Sequence, residues 1–320
     1  MLRAYVVRRL LLFFPTLIGV SLIVFIILRI VPGDPAFIML AGYEGEGSFT
    51  QDELDRVRRR LGLDAPIYVQ YVKWIASAVQ LDFGDSFFTN RPIWEEVRPR
   101  LPLTFQFAFM AIFLAIAFAV PMGIISATRQ DTWIDYFLRI FAIIGLAMPT
   151  FWVGALLLLC LSLWFNWFPP LGYTAPWVDL KTNFIQLIFP AVALAYSTNA
   201  VAARMTRSQM LEVLREDYIR TAMAKGLLER VVVLRHALKN AALPVLTLFG
   251  VQFGFLLGGS VVIESVFSLP GIGRLLIFAI NTRDFPMVQF LVMFIAFIFL
   301  TVNLLVDLLY GWLDPRIRYE

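Results

Sequence analysis

The 320-residue chain has few of the side chains that covalent or metal chemistry requires. With one histidine, His236, and one cysteine, Cys160, it offers no cluster of soft metal ligands and no internal disulfide. No serine has the histidine and aspartate set that a hydrolytic triad demands. The chain also lacks a G-x-x-x-x-G-K-[ST] loop to cradle phosphates and an H-E-x-x-H helix to hold zinc. Catalytic and metal-binding residues are therefore expected to be none, and energy for any pumping must come from outside the chain. What remains is recognition. In DYIRTAMAKG, residues 217–226, Ala222 and Gly226 stand one helical turn apart, so a face of small residues could meet another protein closely. Tyr218, Arg220 and Lys225 rim that face, and Gly226 can end the helix in a left-handed conformation. A solvated cytoplasmic helix is the plainer alternative for the same pattern.

The elements that position this stretch are apolar. Sixty per cent of the residues are apolar, against about 45–50% in soluble domains, which makes the chain an all-α polytopic membrane protein. Six runs are long enough for a core that needs about 20 helical residues: 10–30, 101–127, 136–165, 185–203, 241–262 and 285–309. The third is long for one span, and tilt or a bend at Pro149 is expected to absorb the excess. A run of arginines, Arg3, Arg8 and Arg9, precedes an apolar stretch longer than a signal h-region and without an A-x-A site, so an uncleaved first span is expected. Between the fourth and fifth runs lies the island 216–244, with Arg204, Arg207, Arg215, Arg220, Lys225, Arg230, Arg235 and Lys239 in or beside it. Each such charge costs about 3 kcal/mol at the bilayer centre, so the island belongs in water. Its basic excess, together with the arginines of both tails, predicts cytoplasmic N and C termini. The net charge of +4 is spent on orientation, and nucleic acid is not an expected partner.

Outside the membrane, 37–100 is expected to be a helical lid or docking loop. Thr50-Gln-Asp-Glu53 is a capping box before a helix that Gly62 stops; a second helix is predicted from Pro66, burying Ile67, Tyr71, Trp74, Ile75 and Val79; a short third one follows Pro92. The Pro-Gly turn and short apolar helix in 267–280 predict a re-entrant segment, either a plug or a packed hairpin. Arg29, Arg139, Glu264 and Asp307 are placed mostly near helix ends, where snorkelling is cheap. Polar residues at mid-span depth, Ser197, Thr198, Asn199 and Gln252, are expected to line a pathway with Pro149 and neighbouring Phe151.

Residues 220–226 also resemble the EAA loop of bacterial ABC-importer permeases, a helix that docks on an ATPase subunit. The matching positions are Arg220, Thr221, Ala222 and Gly226, then Ala241, Leu243 and Pro244. Arg220 stands where the general pattern has Glu, and the interval from Gly226 to Leu243 is long; both departures are similar to the dipeptide/oligopeptide branch. Further matches to that branch are 8–10, 15–21, Arg29 with 32–35, 61–64, 84–86, 264–267, 270–273 and 314–316. The resemblance implies a type I ABC-importer permease fold with core 101–311 and coupling loop 204–240, after a first-span segment 1–36 and before a tail 312–320. It implies Tyr218, Arg220, Thr221, Ala222, Ala224, Lys225 and Gly226 as ATPase-coupling residues. The implied partners are a second homologous permease, two ATP-binding subunits that hold ATP and Mg, an extracytoplasmic solute-binding protein and the lipid bilayer of a bacterial or archaeal cytoplasmic membrane. Di- or oligopeptides are the implied cargo. Glutathione or nickel chelate are alternatives within the branch, although the scarcity of Cys and His argues against a dedicated nickel site. An ATP-independent channel or scaffold would share the spans without needing a docking helix.

Overall fold

The computed structural model describes residues 2–30, 33–41, 47–170 and 172–313. Pro32, the tail motif at 314–316, Arg318 and Glu320 lie outside them.

The first span is α1, Leu2–Ile30, with Pro15 inside it. Three short helices follow: α2 (Pro35–Ala41), α3 (Gln51–Arg60) and α4 (Ile67–Val79). The predicted capping box is present, with Thr50 and Glu53 each accepting from the other's backbone N–H. Gly62 takes a φ of +67° just past the end of α3. In α4 the expected stripe is only half covered. Tyr71 and Trp74 pack on Phe25 of α1, whereas Ile67 and Val79, at the helix ends, are exposed.

After α5 (Ile93–Val97) a 3₁₀ turn leads into α6, Leu101–Thr128. The third predicted span breaks into α7 (Trp133–Ala147) and α8 (Thr150–Phe165), which meet at 108° around Met148 and Pro149. The bend expected at Pro149 is present, and it is sharp enough to break the span into two helices. Proline's missing N–H and the extended backbone of Met148 and Pro149 stop the hydrogen-bond ladder outright. Next comes α9, Leu180–Val213, whose N-cap Asp179 accepts from the Thr182 hydroxyl and the amides of Lys181 and Thr182; these bonds hold its carboxyl below the usual range. At 34 residues it overshoots the predicted run at both ends and carries Arg204 and Arg207 within it. Then follow α10 (Asp217–Ala224), α11 (Glu229–Val231), a π turn at Val232–Ala237, and α12 (Leu238–Val266). The chain closes with α13 (Ile272–Asn281) and α14 (Phe285–Leu313). Among the described residues, five helices, or six crossings with α7 and α8 taken as one broken span, are long and apolar enough to traverse a bilayer.

The core lies where α6, α9 and α12 meet. Ala108, Ala111, Ala115 and Ala119 recur on one face of α6 and pack with Ala191, Ala195, Ala202 and Ala203 of α9. Small residues let the two backbones approach, as helix pairs in lipid require. At Gly123 the two helices leave no room for a side chain: a methyl there would come 2.7 Å from Thr206 Cγ2 and 2.8 Å from the Ala203 carbonyl.

Cross-links fix which helix ends share a side. Thr104 of α6, Glu264 of α12 and Ile272 of α13 join at one end, and Ser86 joins Asp284 before α14. At the other end Ser126 of α6, Asp135 of α7 and Arg207 of α9 meet, and Arg9 pairs with Asp307 at 2.9 Å. The start of α1 and the close of α14 therefore lie on the side of the basic island, as the charge asymmetry predicts.

Candidate site: the inner docking helix and its supports

On the inner side, α10 is short, charged and seated on the bundle. Its inward face carries Ile219, fully buried, and Ala222; they pack with Ala127 of α6, Met210 of α9 and Val232, Val233, Ala237 and Ala241 of the following segment. The island is thus less aqueous than the charge pattern predicts, because alternating apolar positions within it turn towards the bundle. The small-residue face also divides. Ala222 points inward, and the outward face carries Tyr218, Thr221, Ala224 and Lys225, with Arg220 beside them. Tyr218 is held by Asn240, whose Nδ2 donates to its hydroxyl at 2.7 Å. Arg220 and Asp217, 3.4 Å apart and both exposed, form a pair that contributes little.

Gly226 ends α10 as predicted. Its φ is +78°, its N–H bonds the Met223 carbonyl, and the Leu227 N–H reaches back to Ala222. This is the paired pattern of a Schellman cap, which favours glycine at that position. The space beyond its Cα is open.

Among the described residues, three buried carboxylates, Asp135, Glu264 and Asp284, brace the ends of the helices. Asp135, fully buried at the start of α7, accepts from Ser126 Oγ (2.5 Å), from Arg207 Nε and Nη2 (2.9 and 2.8 Å), and from the Asp131 amide (3.1 Å). The fork geometry is the strong, bidentate arrangement of guanidinium and carboxylate. It ties α6, α7 and α9 beside the cluster that seats α10. Sequence reasoning missed this pair, although Thr132-x-x-Asp135 is a legible N-cap pattern.

At the outer end, Glu264 does not snorkel. It is fully buried and accepts from Ser260 Oγ (3.0 Å), Thr104 Oγ1 (3.2 Å) and the Arg274 amide (2.9 Å). Gly271 lies against its carboxylate, and a side chain at Gly273 would strike the backbone of Val261. The 267–280 segment is consequently a packed hairpin: Ile272, Leu275 and Ala279 join Ile93, Val97 and Leu291 in one cluster. Close by, Asp284 caps α14 through the Met287 amide and accepts from Ser86 Oγ at 2.5 Å and from the Phe87 amide. That bond gives the Gly84-Asp-Ser86 motif a physical purpose, since it moors the outer loop to the bundle.

The six expected pathway residues are spread over three places. Thr198 and Asn199 are buried on α9 with Ser197 half-buried beside them, Gln252 is half-buried on α12, and Pro149 and Phe151 are exposed at the break between α7 and α8. Asn199 donates to Met122 Sδ at 3.8 Å, and its Oδ1 is buried without a partner. A small apolar cleft between α6, α9 and α12, lined by Ile116, Val120, Thr206, Val245 and Phe249, includes none of the six.

A bundle of apolar helices, one pair of them a broken span, with a short, half-exposed helix seated on one end, defines a polytopic membrane protein. The chain belongs to the family of binding-protein-dependent transport system inner membrane components: that family's model matches residues 119–319, and the model of its N-terminal part matches residues 1–108. It is accordingly a multi-pass permease of the cytoplasmic membrane with the type I importer fold. Among curated proteins it is 42% identical to the dipeptide transport system permease protein DppB of Alkalihalophilus pseudofirmus, over 99% of both chains. It is 40% identical, again over 99% of both, to the glutathione transport system permease protein GsiC of Escherichia coli (strain K12).

Proposed function

We propose that this chain is one of the paired membrane subunits of an ATP-driven importer of di- and oligopeptides, and that α10 is the element through which ATP-binding subunits drive it. The seating of α10 carries the proposal: Ile219 and Ala222 anchor it to the inner ends of α6, α9 and α12, while Thr221, Ala224 and Lys225 are exposed towards a groove, with Tyr218 beside them tied to Asn240. A helix held this firmly passes a push to the bundle instead of absorbing it. ATP and Mg belong to two partner subunits, a homologous permease completes the pathway, and a solute-binding protein delivers cargo from outside. Ser197, Thr198, Asn199, Gln252, Pro149 and Phe151 are proposed to line the pathway in that assembly. The relative named for glutathione makes small γ-linked peptides a second cargo within the same reading.

The test uses the reconstituted complex and labelled di- and tripeptides. Gly226→Val places a β-branched residue at a φ of +78°, which such residues resist. Uptake and substrate-stimulated ATP hydrolysis should fall together at normal expression, while Glu229→Gln leaves both near the parent. Parent-like transport by Gly226→Val would show that α10 is not the coupling element. Competition by unlabelled glutathione separates the two cargoes.

A further inference from the structure

The outer loop contains two neighbouring helices of opposite character. In α3, seven of ten residues are charged, Asp52, Glu53, Asp55, Arg56, Arg58, Arg59 and Arg60, and the helix suits water. In α4, IYVQYVKWIASAV, ten of thirteen residues are apolar, and none of the thirteen is buried. Tyr68, Val72 and Val79 share one face at helical spacing and are 69%, 62% and 78% exposed. A face of this kind left in water is costly, so something of matching character must cover it.

Depth identifies the cover. Tyr71 hydrogen-bonds Ser21 of α1 at 2.7 Å, and its ring and that of Trp74 pack on Phe25. Ser21 lies eight residues before Arg29, the basic residue in the last turn of α1, which is about 12 Å along the helix axis. A tyrosine hydroxyl reaches only about half that distance from its own Cα, so the middle of α4 sits below the level of Arg29. At the same depth α1 itself exposes the apolar side chains of Ile23 and Ile27. Lys73, on the flank of α4, has a stem long enough to carry its charge up to the headgroups, and Tyr68 and Trp74 are residue types that favour this boundary.

We propose that α4 is a membrane-immersed helix of the outer leaflet, with Tyr68, Val72 and Val79 against lipid acyl chains, and that α3 alone of the pair stands in water. The outer loop is then fastened to the bilayer as well as to the bundle, and its charged helix is carried at a set height above the membrane.

The experiment is spin labelling of the full chain, purified with its accompanying subunits in nanodiscs, on a Cys160→Ser background. Nitroxides are placed at Val72→Cys and Val79→Cys, with Arg59→Cys in α3 as the aqueous reference. At positions 72 and 79, collision with oxygen should exceed collision with a water-soluble nickel chelate several-fold, and at 59 the order should reverse. Preferential collision with the chelate at 72 and 79 would place α4 in water. Shielding from both reagents would mean that a protein covers this face. Either result overturns the proposal, and neither bears on the coupling role of α10.

Discussion

Removing one partner of the Asp135 and Arg207 pair should harm the protein far more than removing both. Asp135 is fully buried and takes four hydrogen bonds, two of them from the Arg207 fork; the Arg207 side chain keeps 20% of its surface exposed. Replacing Asp135 with Leu leaves a guanidinium aimed into an apolar pocket, and replacing Arg207 with Met leaves a bare carboxylate. Breaking a buried pair from one side costs about 3–5 kcal/mol. Because Arg207 stays partly hydrated, Asp135→Leu should fall near the lower figure, and Arg207→Met, which strands the fully buried partner, near the upper. In the double variant both charges are gone and the residual cost should drop to about 1–2 kcal/mol, for Ser126 and the Asp131 amide left without their acceptor. Thermal unfolding of the purified subunit in detergent reads the cycle: each single variant should melt roughly 5–10 °C below the parent, and the double variant should recover most of that loss. Additive losses, with the double melting below either single, would refute the idea that charge pairing holds α6, α7 and α9 together.

Two further outcomes follow from the outer end and from the interior. Gly271→Ala adds a methyl where the Glu264 carboxylate already sits and should cost about 1–3 kcal/mol of stability, seen as a lower melting temperature, whereas Gly19→Ala, with open space around it, should be neutral or better. Asn199→Leu removes a buried carbonyl oxygen that has no partner, so melting should hold or rise; transport that nonetheless changes would support its place on the pathway, and unchanged uptake across several peptides would remove it.

The parts of the fold that could be read from sequence are those set by neighbours in the chain. The Thr50 and Glu53 box, the stop at Gly62, the short helix after Pro92 and the left-handed Gly226 each depend on two to four consecutive residues, and each is present. Pro149 marked a disturbance, but a proline specifies only that the ladder fails; the 108° angle comes from what α7 and α8 each pack against. Buried ion and polar pairs were illegible for a different reason. Asp135 and Arg207 are 72 residues apart, and Ser86 and Asp284 are 198 apart, so nothing local in either member announces the other. The inward turn of Ala222 was hidden because a small residue suits a close approach to one's own chain as well as to a partner's.

The right-angled joint between α7 and α8 has a mechanical consequence. On one side of it, α7 is held to α9 by Arg207 and by the close fit of Gly145 against Ala200 and Tyr196. Across the joint, α8 leans on α12 where Gly154 meets Ile263. Both arms pack along α9 and α8 adds the contact to α12, with the dihedrals of Met148 and Pro149 linking the two arms. A straight helix in this position would act as a splint and stop α9 and α12 from sliding past each other. An elbow is no such splint, because a change of angle between its arms at Met148 and Pro149 can take up a slide.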